Sequence, residues 1–273
     1  MFQYRTDKSA LTRALTLGEV VFHCVVRSVR AKHNNAFFAL GQNIMQAVMF
    51  LAFFYFMLTF MGTRSAAIRG DFLLYLMSGV FLFMTHTKTV AAVVGAEGPS
   101  SPMMQHAPMN TTIAIVSAAV ATLYVQTLSM VIILFIYHVA WTPIHIEEPV
   151  PAYGMLLLSW VSGAAIGLLL YVIKPWMPGV IGIISSIYQR SNMLFSGKMV
   201  LANSLPGYWL PMFIWNPLFH TIDQARGFIF INYNPKNTWW EYTAWLALVF
   251  VVLGLMGEFY TRRTASLSWS ARR

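Results

Sequence analysis

Six apolar runs, each long enough to cross a lipid bilayer, constrain this sequence more than any other feature. A helix needs about 20 predominantly apolar residues to span the hydrocarbon core. The chain has 273 residues, of which 58% are hydrophobic and only 10% are charged, whereas a soluble domain has about 25% charged residues. The sequence therefore predicts an all-α membrane protein with six transmembrane helices. The predicted spans are residues 37–61, 72–94, 111–140, 152–173, 178–203 and 240–260.

A further apolar stretch, residues 205–222, is interrupted by Pro206, Pro211 and Pro217. Each proline removes a helical hydrogen bond, and lipid offers no replacement. We therefore predict a re-entrant helical hairpin at residues 205–235, between the fifth and sixth spans, instead of a seventh span.

Basic residues cluster near both ends of the chain, within residues 1–36 and 261–273. Cytoplasmic segments of membrane proteins carry an excess of Lys and Arg. Because an even number of spans places both ends on one side, we expect both ends to be cytoplasmic. The net charge of +9 then reflects basic tails beside anionic lipid, not nucleic-acid binding. The single cysteine, Cys24, excludes an internal disulfide framework.

Residues 11–34 show the period of an amphipathic helix. A basic polar face opposite an aliphatic face is typical of a helix lying in the headgroup plane. The alternative is a soluble helix packed on another element. The apolar face consists of Leu11, Leu15, Gly18, Val21, Phe22, Val25 and Val29, and the polar face of Thr12, Thr16, Glu19, His23, Arg27, Arg30 and Asn34.

Motifs for catalysis, nucleotide binding and metal binding are absent from the sequence. There is no phosphate-binding GxxxxGK[ST] loop and no HExxH pair. No His and Cys residues show metal-ligand spacing, and a cluster at His145, Glu147 and Glu148 is typical of a solvated loop. We predict no catalytic residues, no metal site and no cofactor in this chain, so energy for uphill transport would come from elsewhere.

Two charges lie in the fifth predicted span, Arg190 and Lys198. A charge at the centre of a bilayer costs at least about 2.5 kcal/mol. Eight residues correspond to about two helical turns, so the two side chains would share one face. That face would meet water, a partner carboxylate or an anionic substrate. Snorkelling to an interface is the alternative, above all for Lys198.

The segment after this span carries a specific signature. It reads Arg-Ser-Asn-Met-Leu-Phe-Ser-Gly at 190–197, Leu-Pro at 205–206, Trp-Asn-Pro-Leu-Phe-His at 215–220, and then Arg226. This pattern resembles the membrane subunits of ABC-2-type polysaccharide exporters. Within them it is most similar to the capsular polysaccharide permeases of the inner membrane, with the O-antigen permeases as the wider group.

The resemblance implies a homodimer in a bacterial inner membrane that encloses a channel for a lipid-linked polysaccharide. A separate ATPase subunit would bind ATP and Mg, and periplasmic copolymerase-type and outer-membrane proteins would complete the path. ATP-driven closure would act through the N-terminal helix and the 95–108 loop. The implied ATPase-coupling residues are Glu19, His23, Arg27, Arg30, Glu97, Met103 and Met104, and the channel or gate residues are Tyr55, Tyr188, Arg190, Lys198, Asn216, His220, Asp223 and Arg226.

Several residues of the hairpin have expected local contacts. Asn216 precedes a proline and is therefore pushed out of the helical region, where its amide can satisfy a freed backbone group. His220, Asp223 and Arg226 would share a helix face as a structural polar cluster, with Asp223 and Arg226 paired at i, i+3. We expect this hairpin to form the outer mouth of the channel. The aromatic residues Tyr55 and Tyr188 would either stack on sugar rings or face lipid and neighbouring helices.

Two alternatives stay open. A secondary transporter would show paired halves and intramembrane carboxylates, whereas the predicted spans contain almost none. A membrane-embedded enzyme acting on lipid-linked sugars would need acid and base groups that converge at one depth.

Overall fold

The computed structural model describes residues 10–30, 36–60, 70–98 and 110–264, except for the side chains of residues 10–14, 17, 30, 36 and 262. All regular secondary structure in these ranges is helical, which confirms the predicted all-α class for them. The helices are α1 (Ala10–Arg30), α2 (Ala36–Phe60), α3 (Phe72–Val94), α4 (Thr111–Ala140), α5 (Pro149–Ile173), α6 (Pro178–Phe195), α7 (Leu210–Ile214), α8 (Pro217–Ile229) and α9 (Trp240–Thr264).

Five of the described helices are long and apolar enough to cross a membrane, namely α2, α3, α4, α5 and α9. The chain is therefore a multi-pass helical membrane protein. The remaining predicted span folds as α6, which has 18 residues and has a polar turn that contains Arg190 and Asn192 before its last, apolar turn. The six-span topology and the position of the hairpin in the bilayer stay predictions.

Helix α6 ends earlier than the sequence indicated. We predicted a span up to residue 203, whereas the helix ends at Phe195. Gly197 adopts φ +70°, a left-handed conformation that favours glycine, and a Cβ atom there would lie 2.5 Å from the ring of Phe219. The chain then continues through a 3-10 turn at Ala202–Ser204. The turn could not be predicted from the apolar composition of this segment, because composition does not specify the direction of the backbone.

Helix α3 lies at the centre of the bundle. In its candidate membrane span 83% of the residues are buried, against 22% in the spans of α2 and α9. It packs against α2, α4, α5, α6 and α8. Asp71 caps its first turn by accepting a hydrogen bond from the backbone N–H of Leu73 at 2.9 Å, a favourable arrangement at a helix N-terminus. Helix α3 is therefore the element against which the other helices are positioned.

Side-chain contacts define the two ends of the bundle. At one end, Lys174 donates to the carbonyl of Val94 at 2.8 Å, and the hydroxyl of Tyr171 donates to the carbonyl of Glu97 at 2.8 Å. We call this the Glu97 end. At the opposite end, which we call the Asp71 end, the carboxylate of Asp71 accepts from Thr142 at 3.1 Å.

Two short helices replace a continuous helix after residue 205. Pro211 lies in the first turn of α7, and Pro217 is the first residue of α8, where a missing N–H costs no helical hydrogen bond. Helix α8 packs against α3, α5 and α9, and the carbonyl of Phe228 accepts from the N–H of Glu148 at 2.9 Å. The predicted break of this segment into short helices is confirmed, and the contact places the end of α8 at the Asp71 end.

Candidate functional site

Three titratable residues of α8 are buried inside the bundle. His220 and Asp223 are each 1% exposed, and Arg226 is fully buried. Their common placement on one short helix agrees with the sequence pattern. Burial of such groups is costly unless each finds polar partners. The partners of each residue therefore decide what the cluster does.

Arg226 is held by carbonyl groups and an aromatic ring. Its Nη1 donates to the carbonyls of Gly197 at 2.8 Å and Val200 at 3.0 Å, and its Nη2 donates to the carbonyl of Lys198. Its Cζ lies 4.1 Å from the centroid of the Tyr75 ring. The turn after α6 thus supplies the acceptors, and α3 supplies the cation–π contact.

A glycine on α3 permits this close packing. A Cβ atom on Gly79 would lie 2.6 Å from the carbonyl oxygen of Lys198 and 2.9 Å from Nη2 of Arg226. Distances below about 3 Å would force the turn away from α3, because atoms in protein interiors are already close-packed. Gly79 therefore allows the turn and the guanidinium to lie directly on the central helix.

Asp223 has a separate set of donors. Its Oδ1 accepts from the N–H of Ala202 at 3.2 Å and from the hydroxyl of Tyr233 at 2.5 Å, and its Oδ2 accepts from Thr238 at 2.8 Å. Burial raises the pKa of Tyr233, and the adjacent Asp223 raises it further. The phenol therefore stays protonated and serves as the donor to the carboxylate.

The predicted ion pair between Asp223 and Arg226 is wrong. Both side chains are described, and no ion pair joins them. The turn at residues 197–203 wraps around α8 and offers carbonyls to the guanidinium and an N–H to the carboxylate. Tyr233 and Thr238 complete the partners of the carboxylate, and Nε of Arg226 is buried without a hydrogen bond in the described part of the chain. Sequence spacing along α8 reveals none of these contacts.

Lys198 is buried instead of snorkelling to an interface. It is 2% exposed. Its Nζ donates to the carbonyl of Met193 and lies 4.0 Å from the ring centroid of Phe83 and 5.1 Å from that of Phe54. The prediction that it shares a helix face with Arg190 is also wrong, since α6 ends between the two residues and Arg190 is exposed on the helix.

Asn216 has the contacts expected of a residue before a helix-starting proline. Its Oδ1 accepts from the N–H of Leu218 at 3.0 Å, and its Nδ2 donates to the carbonyl of Phe195 at 3.0 Å and to Oδ1 of Asn192 at 2.8 Å. One amide therefore caps α8 and closes the carboxyl end of α6. The predicted role of this side chain in satisfying backbone groups is confirmed.

His220 is a neutral imidazole whose tautomer is fixed by its partners. Its Nδ1 accepts from the N–H of Trp239 at 3.1 Å, and its Nε2–H donates to the carbonyl of Ile214 at 2.8 Å. Burial lowers the pKa of His220, against the smaller raising effects of the Ile214 carbonyl and the charge of Asp223. The ring thereby joins α7, α8 and the start of α9 in its uncharged form.

The two tyrosines expected either to stack on sugar rings or to face lipid and neighbouring helices lie in different surroundings. The hydroxyl of Tyr188 lies 2.8 Å from Nε2 of His86, whose Nδ1 lies 3.1 Å from the carbonyl of Ser159. Because a carbonyl only accepts, neutral His86 carries its proton on Nδ1 and accepts from Tyr188. Tyr55 instead lines a cavity near the Asp71 end.

A buried polar cluster between α2, α3 and α4 was not anticipated. Nδ2 of Asn43 donates to Ser129 at 2.7 Å, and Oδ1 of Asn43 accepts from Gln126 at 2.9 Å and from Lys88. Polar groups inside apolar spans are expensive and therefore pair with one another. Polar residues within the predicted spans, including His86, could have indicated buried polar contacts. Which residues pair depends on how the helices pack, and the sequence does not show this.

At the Glu97 end, two predicted coupling segments meet. Nη2 of Arg27 lies 3.7 Å from Oε1 of Glu97, and both side chains are largely exposed. Glu19 and His23 are exposed on the same face of α1. The side chain of Arg30 and the residues Met103 and Met104 lie outside the described residues.

Within the described ranges, no three His, Cys, Asp or Glu side chains cluster as a metal site would require.

The apolar helices and this internal polar framework define a multi-pass helical membrane protein. The chain is similar to two curated Escherichia coli proteins, each named polysialic acid transport protein KpsM. In both comparisons 202 residues align at 21% identity, covering 72% of this chain and 76% of the relative. No known protein-family profile matches the chain. The likeness supports a distant relationship to ABC-2-type polysaccharide permeases without singling out a member.

Proposed function

We propose that this chain is the membrane permease subunit of an ATP-binding-cassette exporter. It would move a lipid-linked capsular or related surface polysaccharide across the bacterial inner membrane, with both chain ends in the cytoplasm. The observation that carries the proposal is the similarity to two proteins named for polysialic acid transport, over three quarters of their length. Two copies would pair around the glycan path.

Energy would come from a separate ATPase subunit that binds ATP and Mg, since the sequence has no phosphate-binding loop. The Glu97 end is the docking face in this proposal. The exposed Arg27 of α1 lies beside Glu97 there, and Glu19 is exposed about two turns earlier on the same helix. Closure of the ATPase would push on α1 and on the chain after α3 together.

The buried cluster would brace the hairpin that shapes the outer mouth. Arg226, Asp223 and His220 fix α8 to α3, to the turn after α6 and to the start of α9. A rigid α8 can define a mouth without touching the glycan. The exposed Arg190 is then the better candidate for contact with an anionic substrate, while Lys198 and Asn216 hold the end of α6.

Reconstitution with a separate ATPase subunit of this exporter class tests the proposal. The chain alone should hydrolyse no ATP, and the complex should hydrolyse ATP faster when the lipid-linked glycan is present. Glu19→Ala and Arg27→Ala should lower the stimulated rate with little loss of folding, because exposed ion pairs contribute about 0–1 kcal/mol. The matched control is Lys236→Ala, an exposed basic residue outside α1.

Hydrolysis by the isolated chain would contradict the proposal. Glycan transport that needs no ATPase and follows an ion gradient would support a secondary transporter instead. Chemical modification of the lipid-linked sugar by the chain alone would support the membrane-embedded enzyme.

A further inference from the structure

A cavity of about 590 Å³ lies between α2, the start of α3 and the end of α4. Its floor is apolar and buried, with Leu51 5%, Met77 3% and Ile133 6% exposed. Its volume is within the range of about 300–1,000 Å³ found for small-molecule sites. It is separate from the polar cluster around α8, none of whose residues lines it.

The cavity opens sideways from the bundle. Its rim includes Val48, Phe56 and Ile136, which are exposed side chains of α2 and α4. Both helices belong to the five candidate spans. An apolar opening on the flank of a membrane-spanning bundle is accessible from the hydrocarbon core wherever no second copy covers it, and the molecules available there are those of the bilayer.

The dimensions fit one lipid chain. The lining residues of α2 extend from Ile44 to Phe56, a distance of about 18 Å at 1.5 Å per residue. The hydrocarbon core of a bilayer is about 30 Å thick, so a chain from one leaflet occupies about half of it. The groove is thus long enough for a single acyl chain along the helix axis.

The end of the cavity is polar and carries a negative charge. Asp71 lines it, together with Tyr137 and Trp141. The carboxylate accepts hydrogen bonds from Tyr137 and Thr142, and no cation among the described residues forms an ion pair with it. An uncompensated carboxylate at this position favours a positively charged group close by. A Trp at the end of a spanning helix is typical of the headgroup region.

We propose that this cavity binds one membrane phospholipid with an amine headgroup. One acyl chain lies along α2 over the floor of Leu51 and Ile133. The ammonium group lies at the carboxylate of Asp71, beside the hydroxyls of Tyr137 and Thr142. The bound lipid fills the groove between α2 and α4 and fixes their spacing at the Asp71 end. This ligand is a lipid of the bilayer and is distinct from the exported glycan.

Native mass spectrometry of the purified protein tests the proposal. The protein is extracted from nanodiscs that contain equal amounts of phosphatidylethanolamine and phosphatidylglycerol. Wild type should retain phosphatidylethanolamine in preference by about fivefold, as expected for about 1 kcal/mol from one screened charge pair. Asp71→Asn keeps an oxygen for the cap of α3 but removes the charge, so the preference should disappear. Glu147→Gln, another acidic residue near the Asp71 end but outside the cavity, should keep it.

A second pair of variants tests the chain site. Ala52→Trp fills the cavity and should release the retained lipid, whereas Val249→Trp, on the exposed side of α9, should not. A fluorescence measurement repeats the test with Asp71 unaltered. Phosphatidylethanolamine with brominated chains is added, and the quenching of Trp141 is the fluorescence loss in wild type minus that in Trp141→Phe. Quenching is expected.

Three results would overturn the proposal. The first is a headgroup preference that survives in Asp71→Asn. The second is a failure of bromolipid to quench Trp141. The third is an unchanged amount of retained lipid in Ala52→Trp. If Ala52→Trp instead converts a dimer to a monomer at constant lipid content, the cavity is an interface with a second copy, and the lipid proposal is wrong.

Discussion

Arg226 lies over the ring of Tyr75, with its Cζ 4.1 Å from the ring centroid. The contact joins α8 to the central helix α3 without any carboxylate. Three carbonyl groups of the turn after α6 accept hydrogen bonds from Nη1 and Nη2, whereas the buried Nε has no hydrogen-bond partner among the described residues. A single buried cation thus connects three elements, and its removal would loosen all of them together.

Replacing Arg226 should therefore unfold the hairpin and not merely stop transport. Hydrogen bonds from charged groups contribute about 1.5–3 kcal/mol each, so Arg226→Ala should cost about 3 kcal/mol or more. The measurement is the thermal midpoint of the detergent-purified protein, together with its abundance in membranes. Arg190→Ala is the matched control, because that arginine is exposed on α6 and its loss should leave the midpoint unchanged.

The double variant Asp223→Ala with Arg226→Ala separates two accounts of the cluster. If the two residues formed an ion pair, adding Asp223→Ala to Arg226→Ala would destabilise the protein less than Arg226→Ala does alone. Since the two residues have separate partners, no recovery of stability is expected from the double variant. A midpoint above that of Arg226→Ala alone would show that the charges do compensate each other.

The turn at Gly197 gives a second test. Its φ of +70° and the 2.5 Å approach to Phe219 predict that Gly197→Ala destabilises the protein, by about 1–2 kcal/mol from backbone conformation alone. Gly182 lies within α6 with open space around it, so Gly182→Ala should be neutral or stabilise by up to about 1 kcal/mol. The measurement is the thermal midpoint of each variant relative to wild type. Equal changes in Gly197→Ala and Gly182→Ala would contradict the turn at Gly197.

Acid should weaken the contact between α8 and α9. Burial lowers the pKa of His220, so the unfolded chain binds this proton more readily than the folded one. The stability that depends on neutral His220 is complete above its ordinary pKa of about 6.5 and is lost as the pH falls below it. Thermal midpoints between pH 7.5 and pH 5 should fall for this reason, because a proton on Nδ1 would break the bond from Trp239.

Two variants assign the acid effect. His220→Gln should have a lower midpoint at neutral pH and a flatter dependence on pH. His145→Gln, an exposed histidine in the loop between α4 and α5, should keep the profile of wild type. An unchanged slope in His220→Gln would place the titrating group elsewhere.

Local chemistry made part of the site predictable. Asn216 precedes a proline, and proline constrains both its own backbone and that of its neighbour. The side chain of Asn216 therefore had few alternatives to capping α8, and the structure bears this out. The exposed polar face of α1 follows in the same way from helical periodicity.

Contacts between distant segments were not predictable from the sequence. Arg226 is close to Asp223 along α8, yet its acceptors lie 26–29 residues away. His86 finds its partners 73–102 residues away, on α5 and α6. Spacing along one helix specifies which side chains share a face. It does not specify which carbonyl or ring another segment brings to them.

Export in intact cells tests the central claim most directly. The gene is deleted in its native bacterium, and surface and cytoplasmic polysaccharide are measured in the same culture. The permease account predicts that glycan disappears from the surface, accumulates inside on its lipid, and returns to the surface when the wild-type gene is restored. Normal surface polysaccharide in the deletion strain would contradict the account, as would loss of glycan synthesis without intracellular accumulation.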